Sequence, residues 1–381
     1  MITDSMTGSS QSASTPDAGA HDAGAASPAA ARRMAVWLFV MCGLVAAMVI
    51  VGGATRLTDS GLSITEWRPV TGVVPPLTEQ GWQEELEKYR QIPEYQEINF
   101  GMSLDEFKFI YWWEWGHRLL GRIIGLAFFV PMVVFMATGQ TRRPLALKLV
   151  GLFVLGGLQG ALGWYMVQSG LSERVDVSQY RLAAHLSLAV VLFGLMFWLA
   201  LSLWPARRIE GARKGLYLGS ILLAAGVFAQ MTLGAFVAGL RAGRTFNTWP
   251  LMDGKVFPDG YFAGSPGFND LFETVAAVQF NHRIGAYLLL AGAVWFYLAA
   301  RRTGAERRAL AVLVSVFAQM LLGIWTVLAA TPISLGLLHQ GGALVVFAAA
   351  LYAAHGLAPA ARAGDAAGKG APEALAGASS R

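Results

Sequence analysis

The sequence predicts an all-α integral membrane protein with eight transmembrane helices, arranged as two tandem, pseudo-symmetric four-helix bundles. Three observations predict it: a shortage of charge, eight apolar runs of membrane-crossing length, and an internal repeat every four runs. Of the 381 residues, 55% are hydrophobic and 14% are charged, whereas a soluble domain carries about 25% charged residues. The deficit is concentrated in the apolar runs, so the membrane class follows from composition. The net charge of +5 is not a nucleic-acid signal, because the basic residues sit in short clusters between the runs. The single cysteine, Cys42, lies in the first run. One thiol excludes an intramolecular disulfide, a cysteine-based zinc site and an iron–sulfur cluster.

Residues 1–33 are rich in Ala, Ser, Gly and Asp without periodicity and read as a disordered cytoplasmic tail. The predicted spans are 34–55, 110–137, 145–168, 181–203, 216–240, 274–299, 309–330 and 335–357, close to the ~20 apolar residues a bilayer requires. The first is too long for a signal-peptide core and has only Arg32 and Arg33 before it, so it is expected to be retained. The loops after spans 2, 4 and 6 are short and basic: Arg142, Arg143 and Lys148, then Arg207, Arg208, Arg213 and Lys214, then Arg301, Arg302, Arg307 and Arg308. The loops after spans 1 and 5 are long. The first, 56–109, carries Glu79, Glu84, Glu85, Glu87, Glu94 and Glu97. The positive-inside rule then places both termini in the cytoplasm and the long loops outside. Residues 358–381 form a second Ala/Gly-rich cytoplasmic tail.

The chain repeats. Glu114-Trp115-Gly116-His117-Arg118 opens span 2, and Gln279-Phe280-Asn281-His282-Arg283 opens span 6. His185 and His339 lie near the starts of spans 4 and 8. Among the odd spans, Gln159-x-x-Leu162-Gly163, Gln230-x-x-Leu233-Gly234 and Gln319-x-x-Leu322-Gly323 match, with Met48-x-x-Val51-Gly52 as a weaker copy. Residues 34–204 and 205–357 therefore read as duplicated halves running in the same direction.

Six histidines are present. His21 falls in the tail, and His355 ends span 8 as an interfacial residue. The other four, His117, His185, His282 and His339, all sit at one depth near the outer surface, in two repeat-related pairs. Ionisable groups inside a bilayer are costly and mark function. Two imidazoles from neighbouring helices can supply both axial positions of a haem iron, whereas zinc or copper would require three or four ligands in one shell. Glycines of the odd spans leave room for a porphyrin, or serve helix packing alone. Arg118 and Arg283 suit haem propionates, or snorkel to the interface. The two halves differ at one position beside the histidines. Glu114 can hold or move a proton, while its repeat partner Gln279 cannot. Alternatively, Glu114 faces interfacial water among Tyr111, Trp112, Trp113 and Trp115.

The run Gly52-Gly53-Ala54-Thr55-Arg56-Leu57-Thr58-Asp59-Ser60-Gly61-Leu62-Ser63, continuing through Glu66-Trp67 and Gly72 to Pro75-Pro76, resembles the first outer loop of haem A synthases. Glu114–Arg118 resembles their catalytic helix, and Phe236–Pro250 with Gln279–Tyr287 resembles their second half. The resemblance covers residues 34–357. It implies an inner-membrane enzyme that oxidises the C8 methyl group of haem O to a formyl group through successive hydroxylations, giving haem A for cytochrome oxidase. By position, His117 and His185 would flank the substrate haem, His282 and His339 would ligate haem b, and Glu114 would be the essential carboxylate. The implied partners are haem O, a haem O synthase, cytochrome oxidase assembly factors and membrane lipid, with room for a homo-oligomer. Many bacterial members carry a cysteine pair in the first outer loop. None is present here, so the chain is similar to the mitochondrial-type branch and works without thiol chemistry in that loop. Two rival functions account for the histidines: a bis-histidine cytochrome b carrying electrons from quinol, and a haem transporter or chaperone.

Overall fold

A computed structural model describes residues 24–171, 175–205, 208–209, 211, 213–264, 267 and 270–359. His21, Arg207 and most of both tails lie outside the described residues. Among the described residues regular structure is helical, with two isolated β-bridges, Ala25 with Thr141 and Met252 with Lys255.

Helix α1 (Pro28–Leu57) begins at Pro28 rather than at 34. The Ser27 hydroxyl accepts a hydrogen bond from Ala30 N at 3.2 Å, and Pro28 opens the helix, a combination that starts helices efficiently. Ala30, Ala31 and Met34 are buried. Residues 28–33, expected as tail, are therefore packed helix; the Ser-Pro start was masked by Ala-rich surroundings. The remaining helices are α2 (Glu79–Tyr89), α3 (Pro93–Glu97), α4 (Leu104–Ala137), α5 (Arg143–Gln168), α6 (Gln179–Leu203), α7 (Lys214–Gly239), α8 (Asp270–Glu273), α9 (Val275–Ala300), α10 (Glu306–Leu328) and α11 (Ile333–Leu357). Eight of them, α1, α4, α5, α6, α7, α9, α10 and α11, are long and apolar enough to cross a membrane, and the chain is a multi-pass membrane protein. At 34 residues, α4 is about 51 Å long, well beyond a hydrocarbon core of about 30 Å. Its first turns therefore stand clear of the apolar layer, where Ser103 and Glu106 form a capping box.

Helix α1 packs on α4 and α6, and α5 touches both α4 and α6. Likewise α7 packs on α9 and α11, and α10 touches both α9 and α11. The two sets meet where α11 touches α1 and α6, and α6 touches α7. The four helices at this seam are the more deeply buried ones, while α4, α5, α9 and α10 turn residues such as Leu126, Leu147, Leu298 and Trp325 outward. At the seam a Cβ on Gly194 would stand 3.0 Å from Phe347 Cε1, so glycine permits the close approach of α6 and α11. His355, near the end of α11, is buried at this seam, with Nε2 3.2 Å from Ser202 Oγ and its ring edge-on to Trp198.

An ion cluster ties the two sets together. Arg56 Nη1 lies 3.0 Å from Asp176 and 3.4 Å from Asp59, and Arg241 Nη2 reaches the same carboxylates at 3.0 and 2.9 Å.

The long loop between α1 and α4 is a folded unit. Thr78 caps α2 by accepting from Gly81 N at 3.1 Å. Trp82, Leu86, Tyr89, Ile92 and Tyr95 pack on Phe107, Ile110 and Tyr111 of α4. Glu94 is buried within this cluster, at 4% exposure. The Tyr89 hydroxyl donates to it at 3.2 Å, and Asn99 Nδ2 donates to that hydroxyl at 2.7 Å. Burial above all, then the carboxylates of Glu114, Asp176 and Asp59, push Glu94 from 4.5 up to about 8 despite the Tyr89 hydrogen bond. A carboxyl with a raised folded-state value favours the folded loop while protonated. The loop should therefore lose stability as pH rises from 4.5 through about 8. Limited proteolysis of residues 79–97 is expected to be faster at about pH 9 than at about pH 6. Glu94→Gln should abolish that difference; an unchanged difference in the variant would remove Glu94 as its cause.

Candidate functional site

The four candidate histidines lie on four different helices: His117 on α4, His185 on α6, His282 on α9 and His339 on α11. Each rests against a glycine of the helix that precedes it among the eight spans. A Cβ on Gly163 would stand 2.8 Å from His185 Cε1, one on Gly234 would stand 3.2 Å from His282 Cε1, and one on Gly323 would stand 2.7 Å from His339 Cε1. On Gly52 it would stand 3.0 Å from His117 Nε2. The glycines expected to make room for a flat ring thus seat an imidazole at all four positions.

The glutamine of each repeat signature meets the same histidine, because residues four apart share a helix face. Gln159 Nε2 donates to the His185 backbone oxygen at 3.0 Å and lies 3.2 Å from Nδ1. Gln230 Nε2 donates to the His282 oxygen at 2.7 Å and lies 3.1 Å from Nδ1. Gln319 Nε2 donates to the His339 oxygen at 2.6 Å and lies 3.1 Å from Nδ1. The signature is visible in the sequence as a repeat. Its role as a histidine holder emerges only once the helices are paired.

The residues present fit a metal held between imidazoles. His282 and His339 have ring centroids 6.3 Å apart, with planes inclined at 79°. Two imidazoles bonded at about 2 Å to opposite sides of one ion would have centroids about 6 Å apart. Gln159 Oε1 and Gln230 Oε1 are buried without a hydrogen-bond partner. The amide nitrogens, not these oxygens, lie beside the Nδ1 atoms. Among the described residues, no three His, Cys, Asp or Glu side chains gather into a metal shell. The arrangement therefore favours two-ligand axial coordination, which is the requirement of haem iron.

One turn before His117, Glu114 is buried at 3% exposure and is not a water-facing member of an aromatic belt. Ser63 Oγ and Ile64 N each donate to its Oε2 at 2.7 Å. Arg118 donates to its Oε1 through Nη2 at 2.6 Å and Nε at 3.1 Å. Arg118 also donates to the carbonyls of Ile64 at 2.9 Å and Glu66 at 3.0 Å. Gln279 makes the converse contacts. Its Nε2 donates to Ala242 O at 2.9 Å and Thr245 O at 2.6 Å, and its Oε1 accepts from Arg283 at 3.2 Å. Arg283 in turn donates to Phe246 O at 2.7 Å and Thr248 O at 2.9 Å. In both halves this pair of side chains fastens the long loop to the histidine helix. The Glu/Gln difference matches the groups above it, donors over position 114 and carbonyls over position 279. Sequence reasoning found the asymmetry but missed Ser63 and Ile64, whose positions relative to α4 have no sequence signal.

A family profile described as cytochrome oxidase assembly protein matches residues 35–351. Curated relatives named haem A synthase include one from Parvibaculum lavamentivorans, 56% identical over 325 residues, or 85% of this chain and 94% of the relative. The relative from Nitrosospira multiformis is 50% identical over 331 residues, covering 85% of this chain and 93% of its own length. That from Maricaulis maris is 50% identical over 330 residues, covering 85% and 95%.

Proposed function

This chain belongs to the haem A synthase family of cytochrome oxidase assembly proteins, and from that premise we propose that it oxidises the C8 methyl group of haem O to a formyl group, giving haem A. The observation that carries the reading is that four glycine-seated histidines occupy matching places in the repeated signatures, and His117 alone among them has a carboxylate a turn away. His117 and His185 of the first half, residues 28–204, would flank the substrate haem O. His282 and His339 of the second half, residues 205–357, would hold a resident haem b, which supplies one-electron transfer when bound. The two sets of helices would act as tandem four-helix bundles, with both termini in the cytoplasm and the long loops in the periplasm.

The chain's own residues set up the reaction. Gln230 and Gln319 orient the second imidazole pair, and Gln159 orients His185. Ser63, Ile64 and Arg118 hold Glu114 in one place beside the His117 turn, where the carboxylate can hold or move a proton next to the bound substrate. The folded outer loop covers this end of the site and limits its contact with water. Haem O is insoluble, so delivery by a haem O synthase and passage of haem A to oxidase assembly factors fit the membrane setting.

Pigment extraction tests the proposal. Purified protein should yield haem b together with haem O and haem A. Haem b alone, with spectra reducible by quinol, would favour an electron carrier instead. The glycine seats give a second test. Gly323→Ala places a methyl 2.7 Å from His339 Cε1, closer than unstrained carbons approach. The ring must shift, and haem b retention is expected to fall at least about tenfold, as when the surroundings of a metal-bound histidine are disturbed. Full retention in that variant would separate the glycine from the haem site.

A further inference from the structure

Three of the four histidines are steadied by a glutamine amide, and the fourth is not. The equivalent of Gln159, Gln230 and Gln319 on α1 is Met48. The structure places Met48 where the glutamines sit. In the second half the glutamine oxygens pack over Gly285 and Gly342, each one turn past a histidine. In the first half Met48 Cε packs over Gly121, one turn past His117, and would stand 3.1 Å from a Cβ there. A thioether has no proton to donate and is at best a weak acceptor. Among the described residues, no side chain hydrogen-bonds to the His117 ring.

The ring itself differs accordingly. His185, His282 and His339 turn Cε1, with Nδ1 next to it, toward their glycines. His117 occupies the same seat turned over, presenting Nε2 at 3.0 Å and Cδ2 at 3.4 Å to Gly52. Without an amide to select one face of the ring, Nε2 is not directed away from α1 as a fixed ligand. Groups around a metal-bound histidine hold its orientation and strengthen its bond, and losing them typically costs 10–100-fold in affinity.

We infer that His117 is the exchangeable axial ligand of the first-half haem, so that this haem, and not the second, opens a coordination position to a small neutral diatomic molecule on the side of α4 that carries Glu114. Met48 is then a positioning residue by virtue of what it withholds. The same vacancy gives haem O and haem A a way in and out of the first half, while the doubly steadied second pair retains its haem. The inference rests on the two-pair haem reading proposed above.

Carbon monoxide added to the dithionite-reduced, full-length holoprotein tests it, because CO binds ferrous haem only where an axial position is free. In the unaltered protein one of the two haems should shift its Soret band. Met48→Gln should weaken CO binding at least about tenfold with haem content unchanged, whereas Met48→Leu, which also lacks an amide, should remain CO-reactive. In the converse variant, Gln230→Met should make the second haem CO-reactive. If Met48→Gln holds both haems yet binds CO as before, or Gln230→Met leaves the second haem inert, the inference fails and the two-pair reading stands. Protein that binds no haem after supplementation would overturn both.

Discussion

Glu114→Gln is expected to leave both imidazole pairs occupied and to lower haem A output by about 100-fold or more, the scale on which a positioned proton acceptor contributes. The variant also loosens the site, because one of the two buried oxygens becomes an amide. If the amide faces Arg118, two sets of donors oppose one another and the buried ion pair is broken. If it faces Ile64 N, a buried N–H is left unpaired while the Ser63 hydroxyl turns to accept. Breaking a buried pair costs about 3–5 kcal/mol, and an unpaired buried donor about 1–3 kcal/mol. Loop anchoring and proton transfer can nevertheless be told apart. Ser63→Ala removes a single tie to Glu114 and keeps the carboxylate, so it should raise protease access to the outer loop while lowering haem A output only modestly. Equal losses of haem A in Ser63→Ala and Glu114→Gln would reduce Glu114 to a loop anchor. Wild-type output in Glu114→Gln would remove it from the mechanism.

The eight spans were legible because each is a long apolar run and needs no partner to be recognised. Two starts were misplaced, each by six residues: at Pro28 a cap signal of two residues competes with a composition that favours disorder, and at Leu104 the Ser103-capped first turns are too polar to count as part of an apolar run. The four histidine positions stood out for a different reason: His117 and His185 recur as His282 and His339 at matching places in the repeated signatures, and a repeated ionisable residue inside a membrane is improbable without a use. Arg118 and Arg283 show where this reasoning stops. Their spacing from the histidines suits propionates, and the sequence did not show that their donors also reach carbonyls of loop segments 64–66 and 246–248. Such contacts depend on how each loop folds back over its helix, and pattern or periodicity does not record that. Glu94 was seen in the sequence as one acid among many; only the packing of Tyr89, Tyr95 and Phe107 around it sets it apart.

Removing either imidazole of the second pair has the other large expected effect. His339→Ala should release haem b and with it about half of the bound pigment, since one axial ligand on an otherwise apolar seat holds haem far less tightly than two. Haem A production should stop as well, although Glu114, His117 and His185 are untouched, because electrons would no longer reach the first half. Haem O bound there should persist, which separates a failed supply of electrons from a collapsed fold. The substitution leaves a ring-shaped space beside Gly323 and Gln319, so millimolar imidazole should restore the missing Soret absorbance, as it can fill the vacated ligand position. His355→Ala is the matching control. That residue is also a buried histidine of α11, but it is paired with Ser202 and Trp198 at the helix seam. Its loss should lower thermal stability and leave haem content unchanged. Haem loss in His355→Ala equal to that in His339→Ala would mean that both variants act through α11 as a whole. Selective loss in His339→Ala, reversed by imidazole, follows only if that ring is itself a ligand.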